Sequence, residues 1–136
     1  MMSLEELARA LPALLSAAML IIVFAQSGFD KVRDRQGNLD FLSGHFKGSP
    51  LGAQVPLLLT LLTLLELGAA LLTLGGIVTW LTTGDSTFLF WAAAVTGATL
   101  LALFFGQRMA KDYDGAAVLV PYHILCVILL YLTVPV

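Results

Sequence analysis

Apolar residues dominate four long stretches of the chain, and short polar segments separate these stretches. Their approximate bounds are 11–30, 51–78, 88–107 and 115–134. A membrane-spanning helix needs about 20 mostly apolar residues, and each stretch reaches about that length. The second stretch is longer than one crossing needs, so we expect it to tilt or to extend beyond the hydrocarbon. The pattern predicts four transmembrane helices in a single domain that covers residues 1–136.

The segment between the first and second stretches is more than a connector. From Arg33 to Pro50, apolar side chains interleave with polar ones. Leu39, Leu42 and Phe46 have the spacing of one helical face, which predicts a short helix at the membrane interface. The alternative is a loop folded over the mouth of the bundle as a lid. The predicted fold class is therefore an all-α membrane protein, a four-transmembrane-helix bundle with a short interfacial helix between helices one and two.

The composition agrees with a membrane protein. Of the 136 residues, 59% are hydrophobic and 12% are charged, whereas soluble domains are roughly 45–50% apolar and about 25% charged. The net charge of -2 lacks the basic footprint of a nucleic-acid-binding protein, so we expect no nucleic acid partner. Cys126 is the one cysteine, which rules out a disulfide within the chain, and we expect it to be a small buried hydrophobe.

Positive charge is distributed unevenly between the links. Six of the seven Lys and Arg residues lie in the links after helices one and three: Lys31, Arg33, Arg35, Lys47, Arg108 and Lys111. The positive-inside rule then places both links in the cytoplasm and both termini outside. The first stretch follows Glu5 and Glu6 where a signal peptide has a basic leader, so we interpret it as a retained helix.

Small residues four positions apart recur in the predicted helices. These sets are Ala13 with Ala17, Ala69 with Thr73, Ala93 with Gly97, and Ala94 with Ala98 and Ala102. Membrane helices associate through close packing of small residues, because lipid tails are as apolar as leucine. We expect these positions to form contacts between the helices of one bundle. Self-association into a homo-oligomer is the alternative.

Glu66 is the one ionisable residue in the second apolar stretch. A carboxylate inside the membrane costs a contested few kcal/mol or more, so three interpretations compete. The carboxyl group is protonated and hydrogen-bonded, or it is ionised and paired, or it binds a transferred proton, a quinone oxygen or a polar group of a partner subunit. The predicted partner of Glu66 is His123, Gln26, Arg108 or a group from another chain.

Few residues of the chain are candidates for chemistry. Glu66 and His123 are the catalytic candidates, as groups that handle protons. The candidates for cofactor binding are Gln26, Lys31, Arg108 and Tyr122. With only two histidines and no Cys-x-x-Cys pair, we predict no metal site. We expect no cofactor to be bound by this chain alone, and a quinone is the one cofactor left open.

Three motifs in the chain resemble the DoxX-like family of small four-helix integral membrane proteins. Ser27–Lys31 is similar to the Gly-x-x-Lys element of that family, and Glu66–Gly75 is similar to its helix-two pattern. Gln107–Pro121 resembles the link before its last helix. The chain departs from the family at Val78–Trp80, where many members have a basic residue.

The resemblance implies a protein of the bacterial inner membrane that accompanies redox systems. Some relatives are subunits of a thiosulfate–quinone oxidoreductase, and others associate with enzymes of oxidative-stress and sulfur metabolism. We expect an accessory subunit, not itself an enzyme, that lies in the lipid bilayer and anchors or stabilises a larger respiratory or redox complex. The alternative is a small quinone-linked oxidoreductase subunit of the thiosulfate–quinone type, in which Glu66 and His123 handle protons.

Overall fold

A computed structural model describes residues 2–135 of the chain. Its helices are α1 (Leu4–Arg33), α2 (Arg35–His45), α3 (Val55–Thr83), α4 (Thr87–Met109) and α5 (Tyr113–Thr133), and a 3-10 turn (Gly52–Gln54) precedes α3. Within the described residues, four helices are long and apolar enough to cross a membrane, namely α1, α3, α4 and α5. The prediction of an all-α four-helix membrane protein is confirmed.

The four long helices form a closed ring in the order α1, α3, α4, α5. Each packs on the next, and α5 returns to α1 through a smaller interface. Buried small and apolar side chains fill the centre of this ring, among them Ala17, Leu20, Ala69, Leu89, Ala93, Leu100 and Leu129. In this arrangement α3 and α5 lie diagonally across the bundle, because each packs on α1 and α4.

The first helix extends beyond the predicted apolar stretch because its ends are stabilised in water. The Ser3 hydroxyl accepts a hydrogen bond from the Glu6 backbone N–H at 3.2 Å, and the Glu6 carboxylate accepts one from the Ser3 N–H at 2.9 Å. This capping box satisfies amide donors that have no partner inside the helix. At the other end, Lys31 and Arg33 lie in the last turn, where positive side chains interact favourably with the helix dipole.

Two glycines allow neighbouring helices to approach closely. A Cβ atom at Gly28 of α1 would lie 2.7 Å from Cδ2 of Leu67 on α3, and one at Gly76 of α3 would lie 2.6 Å from the Cα of Leu89 on α4. The Gly76 contact is with backbone, so a larger residue there would force α3 and α4 apart. Such close approach is typical of helix pairs in membranes.

The small-residue pairs divide between the interior and the outer surface. The members that the structure buries are Ala13, Ala17, Ala69, Thr73, Ala93 and Gly97. Ala94 is half-buried, whereas Ala98 and Ala102 are exposed on the outer face of α4. The prediction of contacts within one bundle is therefore confirmed for the first set and wrong for Ala98 and Ala102, which lie on the opposite side of their helix.

The short helix predicted between helices one and two is α2, and it extends across one end of the bundle. At its start, the Arg35 guanidinium donates to the Thr60 hydroxyl of α3 at 2.9 Å. At its end, Nε2 of His45 lies 2.8 Å from Oδ2 of Asp112 in the link between α4 and α5. The predicted short helix is therefore confirmed, and the alternative of a loop over the mouth of the bundle is wrong, because Arg35–His45 is helical. This helix does cross the mouth of the bundle. We call this the α2 end of the bundle.

Candidate functional site

Glu66 forms an ion pair inside the bundle. Its side chain is 1% exposed, and the Lys31 ammonium on α1 lies 3.1 Å from Oε1 and 3.3 Å from Oε2. The same ammonium donates to the Ser27 hydroxyl at 2.8 Å. The Lys31 side chain is 14% exposed, so the cation lies closer to the bundle surface than the carboxylate does. The geometry favours the interpretation of Glu66 as ionised and paired.

The local sequence explains why these groups meet. Ser27 and Lys31 are four residues apart on α1 and therefore lie on the same helical face. Gly28 lies on that face too, and it packs directly on Leu67, the residue after Glu66. Because Gly28 has no side chain, α1 lies near enough to α3 for the lysine to reach the carboxylate. The contact joins the Ser27–Lys31 motif to the start of the Glu66–Gly75 motif.

The importance of the ion pair for the α1–α3 interface lies chiefly in the stability that would be lost if one partner were removed. Replacing one partner of a buried pair leaves an uncompensated charge, and such changes destabilise proteins by about 3–5 kcal/mol. A lysine near a helix end can also extend its ammonium along the helix toward water. The two partners are thus unequal, because Lys31 can reach water and Glu66 cannot.

The predicted partners of Glu66 within this chain were wrong. His123 lies on α5, which is diagonal to α3, so the bundle order separates the two side chains. Gln26 is exposed on α1. The Arg108 guanidinium lies over the Tyr113 ring, 4.5 Å from its centroid. One feature of the sequence could have identified Lys31 as the partner of Glu66. Lys31 lies one helical turn after a serine at the end of α1, and from there its flexible side chain can reach back into the membrane.

His123 lies in a different environment from Glu66. It is half-buried on α5 and lines an apolar groove of about 160 Å³ between α4 and α5. We call this the His123 groove, and its lining residues are Leu100, Leu101, Phe104, Leu119, Val120, His123 and Ile124. No side-chain hydrogen bond to the His123 imidazole is present among residues 2–135, and the lining of the groove is almost entirely apolar, so the ring presents little polar surface to it. Among the same residues, the buried side-chain atom without a hydrogen-bond partner is Oε1 of Gln107.

Tyr122 and Cys126 pack in or against the core of the bundle. Tyr122 is half-buried and packs against the core of the bundle. The Cys126 thiol is fully buried and donates to the Ala93 carbonyl oxygen at 3.1 Å, which confirms the predicted burial of that cysteine. Within the described residues, no group of three or more His, Cys, Asp and Glu side chains is placed to hold a metal ion.

A second polar contact, which the sequence did not predict, lies at the α2 end. Asp112 accepts a hydrogen bond from the His45 side chain at 2.8 Å and another from the Gly115 backbone N–H at 3.0 Å, so it also caps α5. These bonds lower the pKa of the Asp112 carboxyl below its usual 3.8, and the His45 bond has the larger effect. The His45 ring stacks on Phe41 with centroids 4.9 Å apart. The Asp112–Gly115 spacing was the available signal, since it is typical of a helix N-cap.

No protein-family model, curated protein or solved structure matches this chain. The resemblance to the DoxX-like family therefore remains a prediction from its three motifs.

Proposed function

We propose that this protein is an accessory subunit that anchors or stabilises a larger respiratory or redox complex within the membrane. The proposal rests mainly on the Lys31–Glu66 ion pair inside the bundle, in which Nζ of Lys31 lies 3.1 Å from Oε1 of Glu66. The one carboxylate deep in the membrane joins α1 to α3 and is 1% exposed, which favours a structural role for it over a catalytic one.

The outer face of α4 supports the same proposal. Ala98 and Ala102 are exposed one turn apart, and Leu101 between them is 60% exposed. Membrane helices associate where small residues let two backbones approach. This face therefore suits packing against a helix of another subunit, whereas the equivalent inner face, with Ala93 and Gly97, is already occupied by the bundle itself.

The proposed location is the bacterial inner membrane, with both termini on the periplasmic side. Its support is that six of the seven Lys and Arg residues lie at the α2 end, in the last turns of α1 and α4 and in the segments that follow these two helices. Acidic residues are also present there, but the positive-inside rule depends on Lys and Arg and little on Asp and Glu. Cysteine labelling tests the orientation: a membrane-impermeant maleimide should modify Ser3→Cys, but not Ser49→Cys, in intact spheroplasts.

Purification from native membranes tests the accessory role. The full-length chain, tagged and extracted in a gentle detergent, should bring with it stoichiometric membrane proteins identified by mass spectrometry. The purified material should show the absorption spectrum of a haem, flavin or iron–sulfur centre. A stable monomer without partners would contradict the proposal.

Matched variants locate the contact. Ala98→Phe enlarges the outer face of α4 and should reduce the recovered partner to a small fraction of the wild-type amount. Val127→Phe makes a similar change on the outer face of α5, where Val127 is 49% exposed, and should leave recovery unchanged. Equal loss in both variants would show that the α4 face has no particular role.

A further inference from the structure

A groove of about 420 Å³ lies on the outside of the bundle between α3 and α4, at the end opposite α2. We call it the Asp85 groove, after the carboxylate at its mouth. Leu72, Gly75 and Thr79 follow one another at helical spacing on α3, and Gly75 has no side chain to fill the space between the other two. A Cβ atom at Gly75 would lie 3.3 Å from Cε1 of Phe88 on α4. The missing side chain therefore helps to leave a depression between the two helices.

The two ends of the groove differ in polarity. Asp85 and Thr87 line the end at the link between α3 and α4, whereas the exposed apolar side chains of Leu72 and Val95 line the other end. Leu72 precedes Thr83, the last residue of α3, by 11 positions, which is about 16 Å along the helix. The hydrocarbon core is about 30 Å thick, so the groove extends through roughly one leaflet. Its shape and polarity suit one amphipathic molecule.

Asp85 gives the mouth of the groove a negative charge. Its Oδ1 accepts a hydrogen bond from the Thr87 hydroxyl at 2.7 Å and another from the Thr87 backbone N–H at 2.9 Å. These two bonds, the hydroxyl bond first, lower the pKa of the Asp85 carboxyl below its usual 3.8. The three ion pairs found among residues 2–135 do not include Asp85. The carboxylate is therefore ionised at neutral pH and has acceptor capacity left for a ligand.

We infer that the Asp85 groove binds a phospholipid with a primary ammonium head group, of the phosphatidylethanolamine class. The ammonium donates a charge-assisted hydrogen bond to the Asp85 carboxylate, and an acyl chain lies along the apolar end of the groove. Trp91 is 62% exposed one helical turn below Thr87, where an indole N–H can donate to the polar atoms of a lipid at the interface. The groove volume falls in the range of about 300–1,000 Å³ that is usual for ligand clefts.

The charge at the mouth distinguishes this lipid from other phospholipids. The quaternary ammonium of phosphatidylcholine has no N–H to donate to a carboxylate. Phosphatidylglycerol has a net negative charge, and residues 82–87 contain no Lys or Arg to attract it. An exposed ion pair contributes little in water, so we expect a preference of about two- to fivefold for phosphatidylethanolamine over phosphatidylcholine.

Fluorescence quenching by brominated lipids tests the site. In the full chain carrying Trp80→Phe, Trp91 is the one remaining tryptophan and reports on lipid in the groove. The chain is reconstituted in phosphatidylcholine bilayers that contain increasing amounts of a lipid with brominated acyl chains. Quenching by brominated phosphatidylethanolamine and by brominated phosphatidylcholine gives the ratio of their association constants, which should be about two to five. Brominated phosphatidylglycerol should bind no more tightly than phosphatidylcholine.

Two variants and one control, each combined with Trp80→Phe, make the test specific. Asp85→Asn keeps an oxygen that can accept from Thr87 but removes the charge, and it should bring the ratio to about one. Val95→Phe narrows the apolar end of the groove and should lower the ratio with Asp85 still in place. Asp114→Asn removes an exposed carboxylate at the α2 end and should leave the ratio unchanged. Circular dichroism checks that each variant retains its helices.

Three results would overturn the inference. The first is equal binding of phosphatidylethanolamine and phosphatidylcholine by the Trp80→Phe chain. The second is a preference that persists in Asp85→Asn, which would show that the carboxylate does not select the head group. The third is tightest binding of phosphatidylglycerol, which would assign the groove to an anionic lipid. The assay uses the purified chain alone, so none of these results depends on whether the accessory role is correct.

Discussion

Glu66 and His123 are both polar side chains in membrane helices, yet the bundle treats them in opposite ways. Glu66 is 1% exposed and has the Lys31 ammonium at 3.1 Å. His123 is half-buried, faces an apolar groove and has no hydrogen-bond partner among the described residues. A partnered group stabilises the fold and is costly to remove, whereas an unpartnered one contributes little to the fold. The comparison separates a polar side chain on which the fold depends from one on which it does not.

The largest effect should come from removing the cation of the ion pair. Lys31→Met leaves the buried Glu66 carboxylate without its partner and should destabilise the bundle by about 3–5 kcal/mol. Unfolding by SDS titration in mixed micelles, followed by circular dichroism, measures this change. Arg33→Met, an exposed neighbour, is the control and should change stability by less than about 0.5 kcal/mol. Equal stability of Lys31→Met and wild type would show that the pair contributes nothing.

A smaller loss should follow from removing the carboxylate. In Glu66→Gln the ammonium remains, but the Lys31 side chain is 14% exposed and can reach water, so we expect a loss of about 1–3 kcal/mol. The double variant Lys31→Met with Glu66→Gln should lose less than the sum of the two single changes. Strict additivity in this double-mutant cycle would contradict a direct interaction between the two side chains.

The contact at the α2 end should show a modest, pH-dependent effect. Hydrogen bonds from His45 and Gly115 lower the pKa of Asp112 below 3.8. The stability that they contribute is therefore complete above the unfolded value and is lost as the pH falls through the lower folded value. The midpoint temperature of thermal unfolding of the wild type should fall below about pH 4. In Asp112→Asn this fall should be smaller. Identical pH profiles would show that the carboxylate does not help to hold α2.

The smallest effect on stability should come from His123. His123→Leu removes a polar group that the fold does not satisfy, and it adds apolar surface to an apolar groove, so the free energy of unfolding should change by less than about 0.5 kcal/mol. The same SDS titration measures it. A loss as large as that of Lys31→Met would mean that His123 supports the fold, and the contrast between the two sites would disappear.

Much of the architecture could be predicted from local sequence. Runs of about 20 apolar residues are long enough to cross the hydrocarbon, so four spanning helices followed from length and hydropathy. The spacing of Leu39, Leu42 and Phe46 indicated the short helix α2, and Phe46 is 8% exposed in the structure. Burial of Cys126 followed from its apolar neighbours. Each of these properties depends on residues close together in the chain.

The contacts of the candidate site depended on the tertiary structure. Sequence alone determined that Glu66 needs a partner, because a carboxylate in hydrocarbon is costly. It did not determine that the partner is Lys31, since this depends on α1 packing beside α3 and on Gly28 allowing the close approach. The same bundle order places α5 diagonal to α3 and leaves His123 in its own groove. Hydropathy decides which segments enter the membrane, whereas helix order and rotation decide which side chains meet there.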